Sequence, residues 1–180
     1  MKLKKIRKIR TIKCIKTNIL DFYVDEVKWP NNKKLKRALI KHRGVSVIVP
    51  ILNKKEILME RQPRYGANQY LWEIPAGTIE KNESPLECAK RELIEETGYS
   101  GKNWKNCGKY FSVPSYNTAV IHCYAADCYN KESQKLDDDE LIELKPFTFR
   151  EIKKMLSNNI IKDAKTFIAI TNFFKKYFIA

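Results

Sequence analysis

The sequence predicts an α/β fold of the α+β kind, a single domain of 180 residues carrying an antiparallel β extension at its N-terminus. Three observations carry that prediction. The first forty residues alternate apolar and charged positions, the period-two signature of half-buried strands. A helix with start and stop signals of its own lies between Ser84 and Gly98. Two further segments near the C-terminus repeat apolar residues at helical spacing.

Taken in order, Thr11 to Lys16, Leu20 to Val27 and Leu35 to Lys41 form antiparallel strands, with Trp29-Pro30-Asn31-Asn32 as a turn between them. Val45 to Leu52 is apolar enough for a buried strand, and Asn53-Lys54-Lys55 turns the chain into Glu56 to Arg61. Tyr70 to Pro75 is short and extended. Ser84-Pro85-Leu86-Glu87 is a capping box with proline at the first helical position, and Gly98 suits the left-handed residue that ends a helix. Leu86, Cys88, Ala89 and Leu93 form the stripe that buries this helix. Two strands follow, around Lys109 to Ser112 and Ala119 to Ala126. The acidic loop Leu136 to Glu140 then leads into a short strand, Leu141 to Leu144. Phe149 to Asn158 and Ala164 to Tyr177 are helical, and Phe167, Ile170, Phe174 and Tyr177 lie along one face at core spacing. The expected organisation is a β extension over residues 1–43 and a main domain over 44–180.

Composition narrows the class. A hydrophobic fraction of 43% is that of an ordinary globular protein, and no apolar run approaches the roughly eighteen residues of a membrane span. The N-terminal MKLKKIRKIR is basic but lacks a continuous apolar segment, so it is not a secretory signal. The net charge of +14 raises the question of nucleic acid. The excess lysine, however, comes with abundant isoleucine and asparagine, a bias of composition, and no arginine–aromatic interleaving is present. Nucleic acid and membrane are not expected as partners, and a basic surface draws small anionic substrates. The five cysteines are odd in number and show no CxxC spacing, which argues against disulfides or zinc and fits a reducing cytoplasm. His42 and His122 are far apart in sequence and are expected to be structural.

Chemistry concentrates between Gly77 and Tyr99. Glu92, Glu95 and Glu96 are three and four residues apart on one side of the predicted helix, where like charges repel by about 0.2–0.5 kcal/mol per pair unless a cation sits among them. Carboxylate oxygens are the hard ligands that Mg²⁺ or Mn²⁺ prefers, with water and substrate phosphate completing the shell. A solvated Glu-rich face would also have to account for Gly77, Glu83, Arg91 and Gly98. Seven such fixed positions coincide by chance on the order of once in 10⁸ windows.

This pattern resembles the Nudix box, a glycine and a glutamate followed by Arg-Glu-x-x-Glu-Glu-x-Gly; Tyr99 stands where the family usually has an aliphatic residue. The resemblance implies an α/β/α sandwich with a mixed sheet, the box forming a loop, helix and loop that bind the metal. Carried over by position, Glu92 and Glu96 are metal ligands, Glu95 lies beside them, and the carbonyl of Ala76 is a third ligand. Arg91 would orient Glu83 and Glu95 through charge-assisted hydrogen bonds. Glu140 matches the family's loop glutamate, as general base and further metal ligand, with Glu96 the alternative base.

The flanks are similar to the ADP-ribose pyrophosphatase branch. They carry Arg61-Gln62-Pro63-Arg64, then Trp72-Glu73-Ile74-Pro75-Ala76-Gly77, Pro114 at the branch's marker position, and Ile161 to Thr166 at a helix start. This implies Mg²⁺-dependent hydrolysis of ADP-ribose to AMP and ribose 5-phosphate. Arg64 would clamp the diphosphate, and Glu73 would accept hydrogen bonds from ribose or adenine. The branch further implies a homodimer through the N-terminal sheet, with Arg37 reaching the substrate and Phe22 or Trp29 stacking on adenine. After Pro114 the branch commonly has an acid where this chain has Ala119, which leaves other nucleoside diphosphate sugars and dinucleoside polyphosphates open. A non-catalytic nucleotide-sugar sensor and a hydrolase of capped RNA are the alternatives from other classes.

Overall fold

A computed structural model describes residues 4–138 and 140–178. Along the described residues the order is β1 (Arg7–Lys16), β2 (Asp21–Lys28), β3 (Lys34–Lys41), β4 (Val45–Leu52), β5 (Glu56–Arg64), β6 (Gln69–Glu73), β7 (Ala76–Thr78), α1 (Pro85–Thr97), β8 (Tyr99–Phe111), β9 (Val120–Lys131), β10 (Glu143–Thr148), α2 (Phe149–Ser157) and α3 (Ala164–Phe178). The chain divides into two units. Residues up to Gly44 join Phe111–Val120 in one, and the remainder forms the other.

The larger unit is a three-layer α/β/α sandwich around a mixed seven-stranded sheet. Its central order is β10-β5-β4-β9-β8, with β6 paired to β5 and β7 to β4. β4 and β9 run parallel, while β4–β5, β5–β10, β5–β6 and β4–β7 are antiparallel. Strand alternation assigns the layers. Val47, Val49 and Ile51 of β4, with Ile121, Cys123 and Ala125 of β9, pack on Ile152 and Met155 of α2 and Ile170, Phe173 and Phe174 of α3. The opposite face, Ile48 and Ala126, packs on Ala89 and Leu93 of α1. Phe174 and Tyr177 thus serve in packing, and Phe167 is 44% exposed.

β4 and β5 pair only at Ile51↔Ile57 and Leu52↔Glu56, near the turn that joins them. Farther along they diverge. β7 pairs with β4 through Val47↔Ala76, and β6 pairs with β5 through Glu60↔Glu73. The residues Glu73 to Ala76 therefore bridge a split in the sheet.

In the smaller unit β1, β2 and β3 form an antiparallel sheet, and β1 is interrupted by register shifts at Lys8/Arg10 and Thr11/Lys13. The segment between β8 and β9 joins β3 there: Ile40 N–H donates to the Tyr116 carbonyl at 2.7 Å and Thr118 N–H to the Ile40 carbonyl at 3.0 Å. The positive charge is concentrated rather than spread as a general bias. Residues 1–44 hold 15 Lys and Arg against three Asp and Glu, so they carry +12 of the chain's +14.

Three strands differ most from the sequence-based expectation. β8 and β9 begin or end well beyond the segments expected, because both are long strands of the central sheet. The expected strand Leu141 to Leu144 is displaced to Glu143–Thr148, where pairing with β5 sets the register.

Candidate active site

The helix that carries the acidic cluster is held at both ends. At its start Ser84 Oγ accepts from Glu87 N–H at 3.3 Å and Glu87 Oε2 accepts from Ser84 N–H at 2.8 Å, with Pro85 at the first position. At its end Gly98 takes φ 74° and donates to the Ile94 carbonyl at 2.8 Å. Leu93 is fully buried against the sheet, a burial that contributes about 1.5–3 kcal/mol. Anchored this way, α1 presents Glu92 and Glu96 to the sheet rather than to water; they are 8% and 2% exposed.

β7 meets these carboxylates directly. Ala76 N–H donates to Glu96 Oε2 at 2.8 Å. A Cβ on Gly77 would fall inside the Glu92 carboxylate, so that position admits only glycine without displacement of Glu92. Arg91 ties the cluster together. Its Nε and Nη2 form a fork on Glu83 at 2.9 and 3.1 Å, and its Nη1 reaches Glu92 Oε1 at 2.6 Å and Glu95 Oε2 at 3.0 Å.

The chain leaving β9 runs back along the end of α1, covering carbonyls that the helix leaves open. Glu132 N–H donates to the Gly98 carbonyl at 2.8 Å and Lys135 N–H to the Glu95 carbonyl at 2.8 Å. This delivers the acidic loop to the site. Glu140, partly buried, accepts from Asp137 N–H at 3.0 Å, and its charge acts on both Glu92 and Glu96. Asp139 of this loop lies outside the described residues.

A second constellation sits on β5, β6 and the start of α3. Arg64 Nε and Nη2 form a fork on Glu73 at 2.8 Å each, and Lys165 Nζ also bonds Glu73 Oε2. Lys165 pairs further with Asp163 at 3.0 Å. Arg64 and Glu73, expected to act separately on a substrate, are thus partners of each other. Arg37 belongs to the smaller unit. Its guanidinium lies 4.9 Å from the Trp29 ring centroid, and both line a cavity of about 390 Å³ with Pro114 and Ser115.

Sequence reasoning missed Glu60. It is fully buried on β5; Oε1 accepts from Gln62 Nε2 at 2.7 Å, while Oε2 has no hydrogen-bond partner. An unmade bond of this kind costs about 1–3 kcal/mol. The available signal is the alternation Leu58, Glu60, Gln62, Arg64, which puts polar side chains on a face that Leu58 shows to be buried.

The electrostatics are those of carboxylates short of positive charge. Burial pushes Glu92 up to about 7 against the pull of Arg91. Burial and then the charge of Glu60 hold Glu96 well above the usual carboxylate range, with Glu92 and Glu140 adding to it. Burial pushes Glu60 up to about 8, opposed by Lys165. Burial would also raise Glu73, but Arg64 and Lys165 outweigh it and hold that carboxyl low. Among the described residues no three His, Cys, Asp or Glu side chains already enclose a metal position. Arg91 engages Glu92, and the Asp137 amide engages Glu140. The donor set nevertheless fits a hard divalent cation, since buried carboxylates that disfavour one another's charge, one with an orphaned oxygen, are what such an ion relieves.

Residues 41–169 match the NUDIX domain. The chain is 34% identical over 154 residues to the ADP-ribose pyrophosphatase of Bacillus subtilis (strain 168), covering 84% of this chain and 83% of that protein. It is 33% identical over 171 residues to the methanol dehydrogenase activator of Bacillus methanolicus, covering 94% and 92%. It is 34% identical over 117 residues to a GDP-mannose pyrophosphatase of Yersinia enterocolitica, covering 61% and 60%. A crystal structure of an ADP compounds hydrolase shares the fold with a TM-score of 0.81 at 19% identity, covering 100% of both chains.

Proposed function

The chain belongs to the Nudix family of hydrolases, and on that premise we propose that it hydrolyses the diphosphate bond of ADP-ribose, water and ADP-ribose giving AMP and ribose 5-phosphate. The observation that carries the hydrolytic reading is the buried pair Glu92 and Glu96, held on a doubly capped helix against the Ala76 backbone. The preference for ADP-ribose is supported by the Bacillus subtilis relative and by the Arg64–Glu73 pair beside the Trp72 to Gly77 segment.

Glu92, Glu96 and the Ala76 carbonyl would hold Mg²⁺ or Mn²⁺, with Glu140 joining from its loop. When bound, the cation supplies neutralisation of the diphosphate charge and an acidified water. Arg91 keeps Glu83, Glu92 and Glu95 in register. The proton of the attacking water passes to a carboxylate within hydrogen-bond reach, Glu140 or Glu96. Arg64, partly exposed, offers its guanidinium to diphosphate oxygens, and Lys165 keeps Glu73 charged when Arg64 turns to that task. Arg37, in the N-terminal extension proposed over residues 1–43, is a further candidate for nucleotide binding.

A homodimer is part of this proposal. Every described residue of β1 is exposed, and Ile9, Ile12 and Ile15 leave apolar surface on an edge strand. The five unpaired thiols support a reducing, cytoplasmic setting, and no described helix is long and apolar enough to cross a membrane. A second reading, hydrolysis of another nucleoside diphosphate sugar, is favoured by Ala119 and by the GDP-mannose pyrophosphatase relative. A panel of ADP-ribose, GDP-mannose, diadenosine polyphosphates, NADH and capped RNA with Mg²⁺, products resolved, tests both. ADP-ribose should give the highest kcat/KM; a tenfold higher value for another member overturns the substrate assignment.

A further inference from the structure

Glu60 lies outside the Nudix box, yet the sheet brings it to the same place. Alternation along β5 sets Ile57 and Met59 into the core with α2 and α3, so Leu58, Glu60 and Gln62 face the side of the sheet on which α1 packs. Glu60 pairs directly with Glu73 across β5 and β6, and Ala76, three residues beyond Glu73, donates its N–H to Glu96. Both carboxylates therefore border the split where β4 and β5 diverge. Among the described residues, the cations that pair with carboxylates here are Arg64 and Lys165, with Glu73, and Arg91, with Glu83, Glu92 and Glu95. Glu60 Oε2 is left buried without a partner, and the Glu60 charge is the first electrostatic influence on Glu96 after burial itself.

We infer that Glu60 is a further carboxylate of the metal centre, turning Oε2 toward the divalent cation that Glu92 and Glu96 hold. The inference rests on the metal site proposed above. Two buried carboxylates bordering one split in a sheet, with no free cation between them among the described residues, form a site for a small hard cation bound through oxygen. The Gln62 bond fixes Glu60 through Oε1 and leaves Oε2 as the oxygen able to serve.

The test is Mn²⁺ binding to the full chain, read from the electron paramagnetic resonance of free Mn²⁺, for wild type, Glu60→Gln and Glu96→Gln. Glu60→Gln keeps the shape and the hydrogen bond acceptor for Gln62, and should weaken Mn²⁺ binding at least tenfold. Unchanged Mn²⁺ affinity in a folded Glu60→Gln protein overturns the role of Glu60 while leaving the site itself standing. A wild-type protein that takes up no Mn²⁺ sinks the metal site and, with it, this inference. Anomalous scattering from Mn²⁺-soaked wild-type crystals decides the matter without any variant. A peak at ligand distance from Glu60 Oε2, or one water away, supports the assignment, and a peak beyond that reach refutes it.

Discussion

Gly77 and Glu92 share one volume: the Glu92 carboxylate occupies the space that a side chain at Gly77 would need. Gly77→Ala should therefore expel Glu92 from its contact with Arg91 and loosen the site without unfolding α1, whose caps are elsewhere. The expected outcome is a large loss of hydrolysis with little change in helical circular dichroism. A Gly77→Ala enzyme of wild-type kcat/KM would show that Glu92 is dispensable where it stands.

Glu96→Gln preserves volume and removes the charge that the site is built around. Turnover should fall at least a hundredfold, about 2.7 kcal/mol of barrier. Steady-state kinetics at limiting Mg²⁺ provides the check; near-wild-type turnover there rules this site out.

The raised carboxyls predict a pH dependence of stability. Glu92 is pushed up to about 7 in the fold against an ordinary value near 4.5. The folded state therefore binds its proton more tightly, and its contribution is lost as pH rises from about 4.5 to about 7. A shift of that size is on the order of 3 kcal/mol. His42 and His122, pushed down by burial, act in the opposite sense near pH 6.5, so the comparison must be differential. Metal-free Glu92→Gln should gain stability relative to wild type between pH 5 and pH 8, and Mg²⁺ should narrow the gap by stabilising the wild type more at the higher pH. Parallel denaturation curves across that range would contradict the assignment.

Arg7, Lys28 and Lys34 stand in one cross-strand row of the N-terminal sheet, with no acid among them. Like charges directly opposed on a sheet repel by about 0.2–1 kcal/mol per pair. Lys34→Glu should raise the melting temperature at low salt, with the gain shrinking in 0.5 M NaCl as screening takes over. No gain at low salt would mean that the three side chains splay apart at no cost.

Light scattering at micromolar concentration tests the proposed dimer. A mass of twice 21.2 kDa is expected, through an isologous interface burying more than about 1,000 Å². A mass of 21.2 kDa removes it.

What the sequence determined by itself was local. The Ser84-Pro85-Leu86-Glu87 box, the Gly98 stop and the 3,4 spacing of the glutamates are encoded within fifteen consecutive residues, so helix α1 and its acidic face could be read directly. A continuous apolar run likewise marked the buried strand β4, and alternation marked the N-terminal strands. The tertiary structure alone decided which distant groups meet. The charge of Glu60 bears on Glu96 where β4 and β5 diverge. Arg64 and Lys165 meet on Glu73 because β5, β6 and the start of α3 converge. The loop Phe111–Val120 joins the smaller unit through Ile40. Capping and alternation are contests among neighbours within a turn or two and leave their mark in spacing. The pairing of a buried carboxylate depends on strand register and on which cations the fold has already engaged, and neither leaves a trace at fixed separation along the chain.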